Sequence, residues 1–400
     1  MHDGMARLVP EVRRYAWGSR EVLARFQGRA APTEEPEAEL WFGAHPMAPA
    51  RLDGDGQRLS DFIAANPQST LGADVAAAYD SRLPFLLKVL AIDQPLSLQA
   101  HPKTADAQRG FAHEESLGIA RNAPERVYSD AWPKPELLYA LTDVYALCGF
   151  KQPTDAVRWL EELAVPALAP VLEAIKADGA DAYATVVRQL LGWPQDARHQ
   201  LVSEISQAAQ AFAARSDEDA EAARWLVALA ARYPNDPGVA VAILMLFMRL
   251  EPGEALHLPA GELHAYLAGT GVEIMATSDN VLRGGLTPKH VDIEGLLEVL
   301  TTSAEGPSRV GGHRIGDATV FAVDTPYFSL ARFDVDGEVE ATPASTGPAV
   351  LLTTDGDVTV CAADTKVSIP AGTGAFIPAS TGQVSLVGHG QVFRATVGSP

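Results

Sequence analysis

Four residues of this sequence have side chains that suit a metal site. Gln99 and His101 lie two positions apart in the strand-like segment LSLQAHP, so both side chains project from one face of the strand. Glu136 begins another apolar run, and His264 follows a Pro–Gly turn. Two imidazoles, one carboxylate and one amide oxygen suit zinc or another divalent first-row ion and leave a position for water or substrate. On spacing alone, an ordinary polar strand pair is the alternative for Gln99 and His101.

Three charged residues stand where they could take part in chemistry, and each has a second interpretation. Lys134 lies two positions before Glu136 on the same face, either beside the metal or as a solvated lysine at a strand end. Lys88 interrupts the apolar run LLKVL and either points into the interior or reaches water from an edge strand. Asp279, in the turn-rich segment SDN, is either an acid–base group or the cap of an Asx turn.

One pattern of glycine and proline occurs twice. The segments GEALHLPAGELH (253–264) and GTGAFIPASTGQ (372–383) share the spacing of their first glycine, their proline and their last residue. This frame resembles the second motif of the cupin superfamily, whose fold is a small double-sheet β-barrel with a histidine aimed into it. The resemblance implies two cupin-like barrels. Only the first frame closes on a histidine, His264, whereas the second closes on Gln383, so we expect the second barrel to hold no metal.

Five longer segments resemble the type I phosphomannose isomerases. In chain order they are YAWGS, AELWFGAHPMAPA, LSLQAHPKTADAQRGFAHEE, KPELLYALTDVYALCGF and LPAGELHAYLAGTGVEIMATSDNVLRGGLTPKHVD. They follow the order of that family in both β-rich parts, and the likeness is weak in the helical stretch and at the C-terminus. The resemblance implies a metal-dependent aldose–ketose isomerase that interconverts mannose 6-phosphate and fructose 6-phosphate through a cis-enediol.

The resemblance also implies roles for individual residues. The zinc ligands of the family fall on Gln99, His101, Glu136 and His264, the same four residues that the spacing offers. The active-site arginine of the family falls on Arg283, in SDNVLRGG.

Moving a proton between C1 and C2 of a sugar requires a base, a group that holds the developing oxyanion and a way to open the ring. A divalent metal polarises the carbonyl as a Lewis acid. We expect Lys134 and Asp279 to act near C1 and C2, without deciding which is the base, and Arg283 to assist ring opening or charge stabilisation. The candidates for binding the rest of the substrate are Lys88, Lys289, Trp17 and Glu39.

The chain changes character along its length. Residues 1–152 and 251–324 carry short apolar runs between turn signals, which indicate β-strands. Residues 153–250 have apolar residues at three- and four-residue spacing, which predicts helices. Residues 325–400 are rich in Val, Thr and Gly and predict short strands. We therefore expect a mainly β protein, with a cupin-like metal-binding domain, an all-α domain inserted into it and a C-terminal cupin-like (jelly-roll) domain that lacks metal ligands.

The bulk composition excludes some classes of function. A formal net charge of −20 argues against binding to nucleic acid or to an anionic membrane. The sequence has no run of eighteen apolar residues and no signal-peptide core at its N-terminus, and its two cysteines, Cys148 and Cys361, form no motif. We expect a cytoplasmic monomer whose partner is a small phosphosugar.

Two rival functions stay open. A different cupin enzyme, such as a non-haem iron oxygenase, usually has a compact set of two histidines and a carboxylate, without a glutamine ligand. A sugar-binding cupin without catalysis would be expected to lack one of the ligands, as the frame ending at Gln383 does.

Overall fold

The computed structural model describes residues 4–398 except 122, 124–125, 218, 305 and 342–346. Within these residues the chain forms twenty strands, twelve α-helices and four short 3-10 helices. The strands are β1 (Ala6–Val9), β2 (Glu11–Arg13), β3 (Glu39–Phe42), β4 (Arg51–Leu52), β5 (Phe85–Ile92), β6 (Leu98–Ala100), β7 (Glu136–Ala140), β8 (Val144–Phe150), β9 (Met245–Leu250), β10 (Ala255–Leu258), β11 (His264–Ala276), β12 (Leu282–Gly285), β13 (Ser308–Val310), β14 (His313–Ile315), β15 (Ala318–Phe321), β16 (Ser329–Glu340), β17 (Ala349–Ala362), β18 (Thr365–Pro370), β19 (Gly374–Ile377) and β20 (Ser385–Thr396).

The α-helices are α1 (Val22–Phe26), α2 (Leu59–Ala65), α3 (Pro67–Leu71), α4 (Ala73–Ala78), α5 (Thr104–Ser116), α6 (Pro153–Leu163), α7 (Ala169–Asp178), α8 (Tyr183–Leu191), α9 (Arg198–Ala213), α10 (Asp219–Arg232), α11 (Gly238–Leu244) and α12 (Ile293–Val299). The 3-10 helices are Pro166–Leu168, Gly179–Ala182, Gln195–Ala197 and Ala379–Thr381.

Eleven strands form the N-terminal barrel, which comprises β2, β3 and β5–β13. Its sheet folds over itself through the long strand β11. The first residues of β11 pair with β6 and β8, and its later residues pair antiparallel with β5 and β7. A strand shared in this way places the two halves of the sheet face to face, with an interior between them.

Strand β5 is buried on both faces, as its continuous apolar run predicts. Its odd-numbered residues, such as Leu87 and Val89, pack in a core shared with the C-terminal strands. Because side chains alternate along a strand, Lys88 and Leu90 face the opposite way, into the N-terminal barrel. A charged side chain in this run therefore lies in the barrel interior.

Nine strands form the C-terminal barrel, which comprises β1, β4 and β14–β20. Strand β1 pairs with β19, with Ala6 opposite Phe376, so the start of the chain belongs to this barrel rather than to the first, as the expected division at residues 1–152 had it. Apolar side chains such as Phe333, Leu351 and Val392 fill its interior. Gln383, the counterpart of His264 in the repeated frame, is exposed.

The helical unit, α6–α11, is inserted between β8 and β9 and packs on the outer face of the N-terminal barrel. The helical prediction for residues 153–250 is wrong at its end, because Met245–Leu250 forms β9 and pairs antiparallel with β8. The backbone groups of β8 on that side require a strand partner, and this tertiary requirement decides the conformation. Among the described residues, none of the helices combines the length and apolar character needed to cross a bilayer.

Candidate metal centre and active site

His101, Glu136 and His264 converge inside the N-terminal barrel. Each offers one ligand atom, and these atoms lie within 4.8 Å of one another. The Nε2 atom of His101 lies 3.3 Å from Oε1 of Glu136, and the Nε2 atom of His264 lies 3.4 Å from Oε2 of the same carboxylate. His101 follows β6, Glu136 begins β7 and His264 begins β11, so the closure of the barrel brings them together.

Both imidazole rings are held by a backbone carbonyl on their far side. Nδ1 of His101 donates to the carbonyl of Asn280 at 2.7 Å, and Nδ1 of His264 donates to the carbonyl of Glu262 at 3.0 Å. Because Nδ1 carries the proton, each Nε2 presents a lone pair towards Glu136. Among the described residues, no hydrogen-bond partner meets either Nε2 atom or Oε2 of the carboxylate. Buried acceptors that face one another fit a cation between them, and this donor set fits zinc.

The surrounding charges keep these residues in the forms that bind a metal. Burial, followed by the charge of Lys134, lowers the pKa of His101 to about 4, so this imidazole is neutral at pH 7. Burial acts to raise the pKa of Glu136, but the charge of Lys134 and the contacts from the two histidines hold this pKa well below its ordinary value. Neutral imidazole and ionised carboxylate are the ligand forms.

Gln99 reaches the same face from β6. The strand register places it opposite His264 on β11 and opposite Arg283 on β12. Directly opposed residues of antiparallel strands project from one face of a sheet, so all three side chains point into the barrel. The neighbours Leu98 and Ala100 point outward and are buried against the helical unit. The register supports Gln99 as a fourth ligand.

Lys134 lies beside the metal candidates rather than in solvent. Its Nζ atom is 3.2 Å from Oε1 of Glu136, and its side chain is 10% exposed. This position favours the first interpretation of Lys134 over a solvated lysine at a strand end.

Asp279 forms a pair with a histidine that the sequence analysis did not single out. Its Oδ2 atom lies 3.2 Å from Nε2 of the buried His45, whose Nδ1 accepts from the backbone N–H of Met47 at 3.3 Å. The proton therefore sits on Nε2 of His45 and is donated to the carboxylate. Burial acts to raise the pKa of Asp279, but this hydrogen bond and the charges of His45, Lys134 and Lys88 lower it. The side chain thus faces His45 rather than capping its own turn.

Lys88 points into the barrel from a central strand, between β3 and β11. Its Nζ atom lies 3.0 Å from Oε2 of Glu273, directly opposite on β11, and both side chains are under 8% exposed. Burial acts to lower the pKa of Lys88, but Glu273 and Glu39 raise it above its ordinary value. The edge-strand interpretation of Lys88 is therefore wrong, and its charge is already matched by a carboxylate.

Arg283 and Lys289 are cations without an acidic partner in the part of the chain that the structure describes. Burial lowers the pKa of the half-buried Arg283, and burial and then the charge of Arg283 lower that of Lys289. Two like charges that act on each other, close to the face that carries Gln99, make a place that an anion would stabilise.

Trp17 and Glu39 lie at the side of the same interior. Trp17 is partly buried, stacks on Tyr15 with ring centroids 5.8 Å apart and packs against the inward-facing apolar cluster around Leu138 and Tyr266. Glu39 is 8% exposed and accepts a hydrogen bond from Nε1 of Trp41.

Comparison with known proteins decides the family. The family model described as phosphomannose isomerase type I, catalytic domain, matches residues 5–153, and that described as mannose-6-phosphate isomerase, cupin domain, matches residues 317–397. Mannose-6-phosphate isomerase of Escherichia coli is 33% identical over 98% of this chain and 99% of its own length. The chain belongs to the type I phosphomannose isomerase family.

Other members of the family agree over the full length. Mannose-6-phosphate isomerase 2 of Arabidopsis thaliana is 32% identical, with 99% of this chain and 94% of that protein covered. A crystal structure of mannose 6-phosphate isomerase bound with zinc and yttrium is 32% identical, has a TM-score of 0.90 and covers 99% of this chain and 100% of its own. The apo form from Salmonella typhimurium has a TM-score of 0.89, 32% identity and the same coverage. This membership favours the isomerase over the oxygenase and over the non-catalytic sugar-binding cupin.

Three polar residues of this interior were not predicted from the sequence. His45 lies in the quoted motif AELWFGAHPMAPA, where an isolated histidine gave no spacing signal. Glu273 interrupts the apolar run VEIMA as Lys88 interrupts LLKVL, and the same argument could have found it. Asn280 adjoins Asp279, but its role depends on hydrogen bonds to a distant loop that no local pattern reveals.

Proposed function

We propose that this protein interconverts mannose 6-phosphate and fructose 6-phosphate with one zinc ion held by Gln99, His101, Glu136 and His264. The observation that carries the proposal is the set of buried, unpartnered acceptors on the last three residues, in a chain of this family. When bound, the metal supplies Lewis-acid stabilisation of negative charge on O1 and O2 of the sugar. The register of Gln99 opposite His264 supports the fourth ligand.

Lys134 and the Asp279–His45 pair are the groups that we assign to proton transfer at C1 and C2. Lys134 reaches the carboxylate that holds the metal, so it lies next to the reacting oxygens. The lowered pKa of Asp279 keeps its carboxylate ionised at neutral pH, and His45 can return a proton to it. We therefore infer that the base and its partner are among these residues.

The phosphate group is assigned to Arg283 and Lys289. These two cations lack an acidic partner among the described residues, whereas Lys88 is paired with Glu273. A phosphate dianion would satisfy both cations, and the planar guanidinium suits bidentate contact. We assign Lys88 and Glu39 to hydrogen bonds with the sugar hydroxyls. Trp17 would pack against the apolar side of the sugar.

Isotope exchange in a coupled assay tests the proposal. Formation of fructose 6-phosphate from mannose 6-phosphate is followed in deuterium oxide, before chelation, after chelation and after return of zinc. We expect chelation to abolish turnover, zinc to restore it, and solvent deuterium to enter C1 of the product, because a proton held by a base in an enediol path can exchange with solvent before it is returned. The zinc-saturated chelator is the control for direct inhibition. Product without any deuterium would contradict a base whose proton exchanges with solvent, and undiminished turnover after chelation would contradict the metal.

Two variants separate the base from its partner. In Lys134→Gln and Asp279→Asn, the residue that moves the proton should lose deuterium entry and turnover together, by roughly 100-fold or more. The other variant should lose turnover, while its product carries as much deuterium as the product of the unchanged protein. Equal turnover of both variants and of the unchanged protein would remove both residues from the mechanism.

We also propose a cytoplasmic monomer. All four proposed metal ligands come from one chain, so the site is complete without a partner. Cys148 and Cys361 are free thiols, as expected in a reducing compartment. Sedimentation at micromolar concentration tests the first point, and a stable dimer would contradict it.

A further inference from the structure

Asn280 is a buried polar residue at the junction between β11 and β12, and it has no exposed surface. Its amide is fully engaged. Nδ2 donates to the carbonyls of Asp130 and Trp132 at 2.8 and 2.9 Å. Oδ1 accepts from the backbone N–H of Ser129 at 2.8 Å and from that of Asp130 at 3.3 Å. One side chain thus holds the backbone of the four-residue segment 129–132, which lies some 150 positions away in sequence.

The segment that Asn280 holds leads directly to the site. Trp132 precedes Lys134 by two positions and Glu136 by four. Two neighbouring hydrogen bonds join the same two segments. The carboxylate of Asp130 accepts from the hydroxyl of Ser278 at 2.9 Å and from the backbone N–H of Asp279 at 3.1 Å. The chain that enters β7 is therefore fixed to the chain that enters β12.

The backbone carbonyl of Asn280 fixes the other side of the metal centre. It accepts from Nδ1 of His101 at 2.7 Å, which orients the ring and leaves Nε2 facing Glu136. The same residue thus contacts a metal-ligand candidate through its backbone and the Lys134 segment through its side chain. No other residue that the structure describes is seen to do both.

We propose that Asn280 is the positioning residue that sets the distance between the metal centre and Lys134. The inference rests on the proposed function of that site. Only a carboxamide fits here, because the position requires two donors towards two carbonyls and an acceptor towards two N–H groups. A carboxylate offers no donor, and a shorter hydroxyl cannot span both sides.

Two variants, Asn280→Asp and Asn280→Ser, test the proposal. The first keeps the size of the side chain and removes both donated bonds, and the second shortens the side chain so that it cannot reach both sides. The backbone carbonyl towards His101 is present in both variants. Without these side-chain bonds the backbone of Asn280 is no longer held, so the carbonyl that orients His101 shifts. We expect both variants to weaken zinc affinity roughly 10-fold, the lower end of what loss of a ligand-orienting partner costs. Turnover per bound zinc should fall roughly 100-fold from the misplaced Lys134, with a smaller change in KM.

The matched control is Tyr183→Phe. Tyr183 is fully buried in the helical unit and donates to the carbonyl of Lys151 at 2.6 Å, so its variant loses a buried hydrogen bond that involves none of the candidate site residues. We expect it to lower the thermal midpoint and to keep wild-type zinc affinity and kcat. If the Asn280 variants behave like this control, the positioning role is overturned.

Two further measurements keep the outcomes distinct. Zinc affinity is read by competition with a chromophoric chelator, so it reports on Asn280 even if the protein does not isomerise mannose 6-phosphate. Nitrogen-15 spectra of the unchanged protein should show His101 protonated at Nδ1, and protonation at Nε2 would overturn the proposal even if neither variant folded.

Discussion

At the residue scale, the site consists of polar groups whose charges are matched inside the barrel, with two exceptions. Glu136 has Lys134, Lys88 has Glu273 and Asp279 has His45. The exceptions are the Nε2 atoms that face the Glu136 carboxylate and the two cations Arg283 and Lys289, for which the described residues supply no acid. A buried group without a partner costs free energy, and two cations that act on each other repel, so these two places are where a metal and an anion would bind.

Asp279→Asn should lower stability in a pH-dependent way. The folded-state pKa of Asp279 lies below its ordinary value, so its contribution is fully present above the unfolded-state pKa and is lost as pH falls through the folded-state pKa. We expect the variant to be about 1–2 kcal/mol less stable at pH 7, the size of a hydrogen bond to a charged group. The difference should shrink as pH falls below about 4, the ordinary pKa of an Asp carboxyl.

Denaturant unfolding at several pH values measures this difference, with the exposed Asp364→Asn as control. A gap between the unchanged protein and Asp279→Asn that widened on acidification would contradict the ionised pair.

Arg283→Gln should weaken phosphate binding. Removing one of two cations from the anion site should raise KM for mannose 6-phosphate roughly tenfold or more, and should weaken competitive inhibition by inorganic phosphate equally. Lys366→Gln, an exposed charge on the C-terminal barrel, controls for net charge. Unchanged inhibition by phosphate in Arg283→Gln would place the phosphate elsewhere.

At the scale of elements, strand alternation is what puts chemistry inside the barrel. Odd residues of β5 face the core shared with the C-terminal barrel, and Lys88 faces the interior opposite Glu273 of β11. Residues Leu263 and Ala265 pack on the helical unit, whereas His264 between them faces Glu136. A slip of one residue in either strand would exchange the two sets.

Lys88→Met should be strongly destabilising because it leaves the carboxylate of Glu273 buried and alone. Breaking a buried pair costs about 3–5 kcal/mol, whereas replacing both partners by apolar or neutral groups is often close to neutral. We therefore expect Lys88→Met/Glu273→Gln to recover most of the loss. Denaturant unfolding of the double-mutant cycle measures it, and a double variant no more stable than Lys88→Met would contradict the pairing.

The sequence predicted elements better than it predicted their partners. The continuous apolar run predicted strand β5, and the two-residue spacing predicted that Gln99 and His101 share one face of a strand. Both predictions were possible because the alternation of side chains is a local property. The assignment of Glu136 as a ligand depended on the family motif, since no local pattern relates Glu136 to His101. The pairing of Lys88 with Glu273 depends on strand register, and that of Asp279 with His45 on two loops that meet. Both join positions more than 180 residues apart, which no local pattern encodes.

Two misassignments have the same physical origin. Met245–Leu250 continues a helical stretch in composition but pairs with β8, and β1 joins the C-terminal barrel through β19. In both cases an edge of a sheet takes a strand that the local sequence does not assign to it. Local patterning therefore predicts where strands and helices occur, and tertiary pairing decides which sheet a strand joins.

At the scale of the whole molecule, the two barrels share one hydrophobic core. Leu87, Tyr139 and Ile274 of the N-terminal barrel pack with Phe376 and Phe393 of the C-terminal barrel. A tilted aromatic contact, with ring centroids 5.7 Å apart, further joins Tyr327 to Trp132, next to Lys134. The C-terminal barrel therefore supports the sheet that carries the site.

Phe393→Ala should destabilise both barrels together. Its ring is fully buried, with its centroid 4.8 Å from that of Tyr139, and truncation of such a residue costs about 3–5 kcal/mol. We expect loss of activity to coincide, along a denaturant titration, with chemical labelling of the Cys361 thiol in β17 of the C-terminal barrel, read by mass spectrometry of its peptide. Activity that outlasted the unfolding of the C-terminal barrel would contradict a shared core.

The central claim is that zinc held by the three facing residues makes this protein an isomerase. The most direct test titrates zinc into metal-free protein and measures bound metal and mannose 6-phosphate turnover in the same samples. Turnover should rise with bound zinc and level off at one ion per chain, and His264→Ala should show neither, while the exposed His389→Ala should match the unchanged protein. Metal-free protein that turned over as fast as the zinc-loaded form would contradict the account.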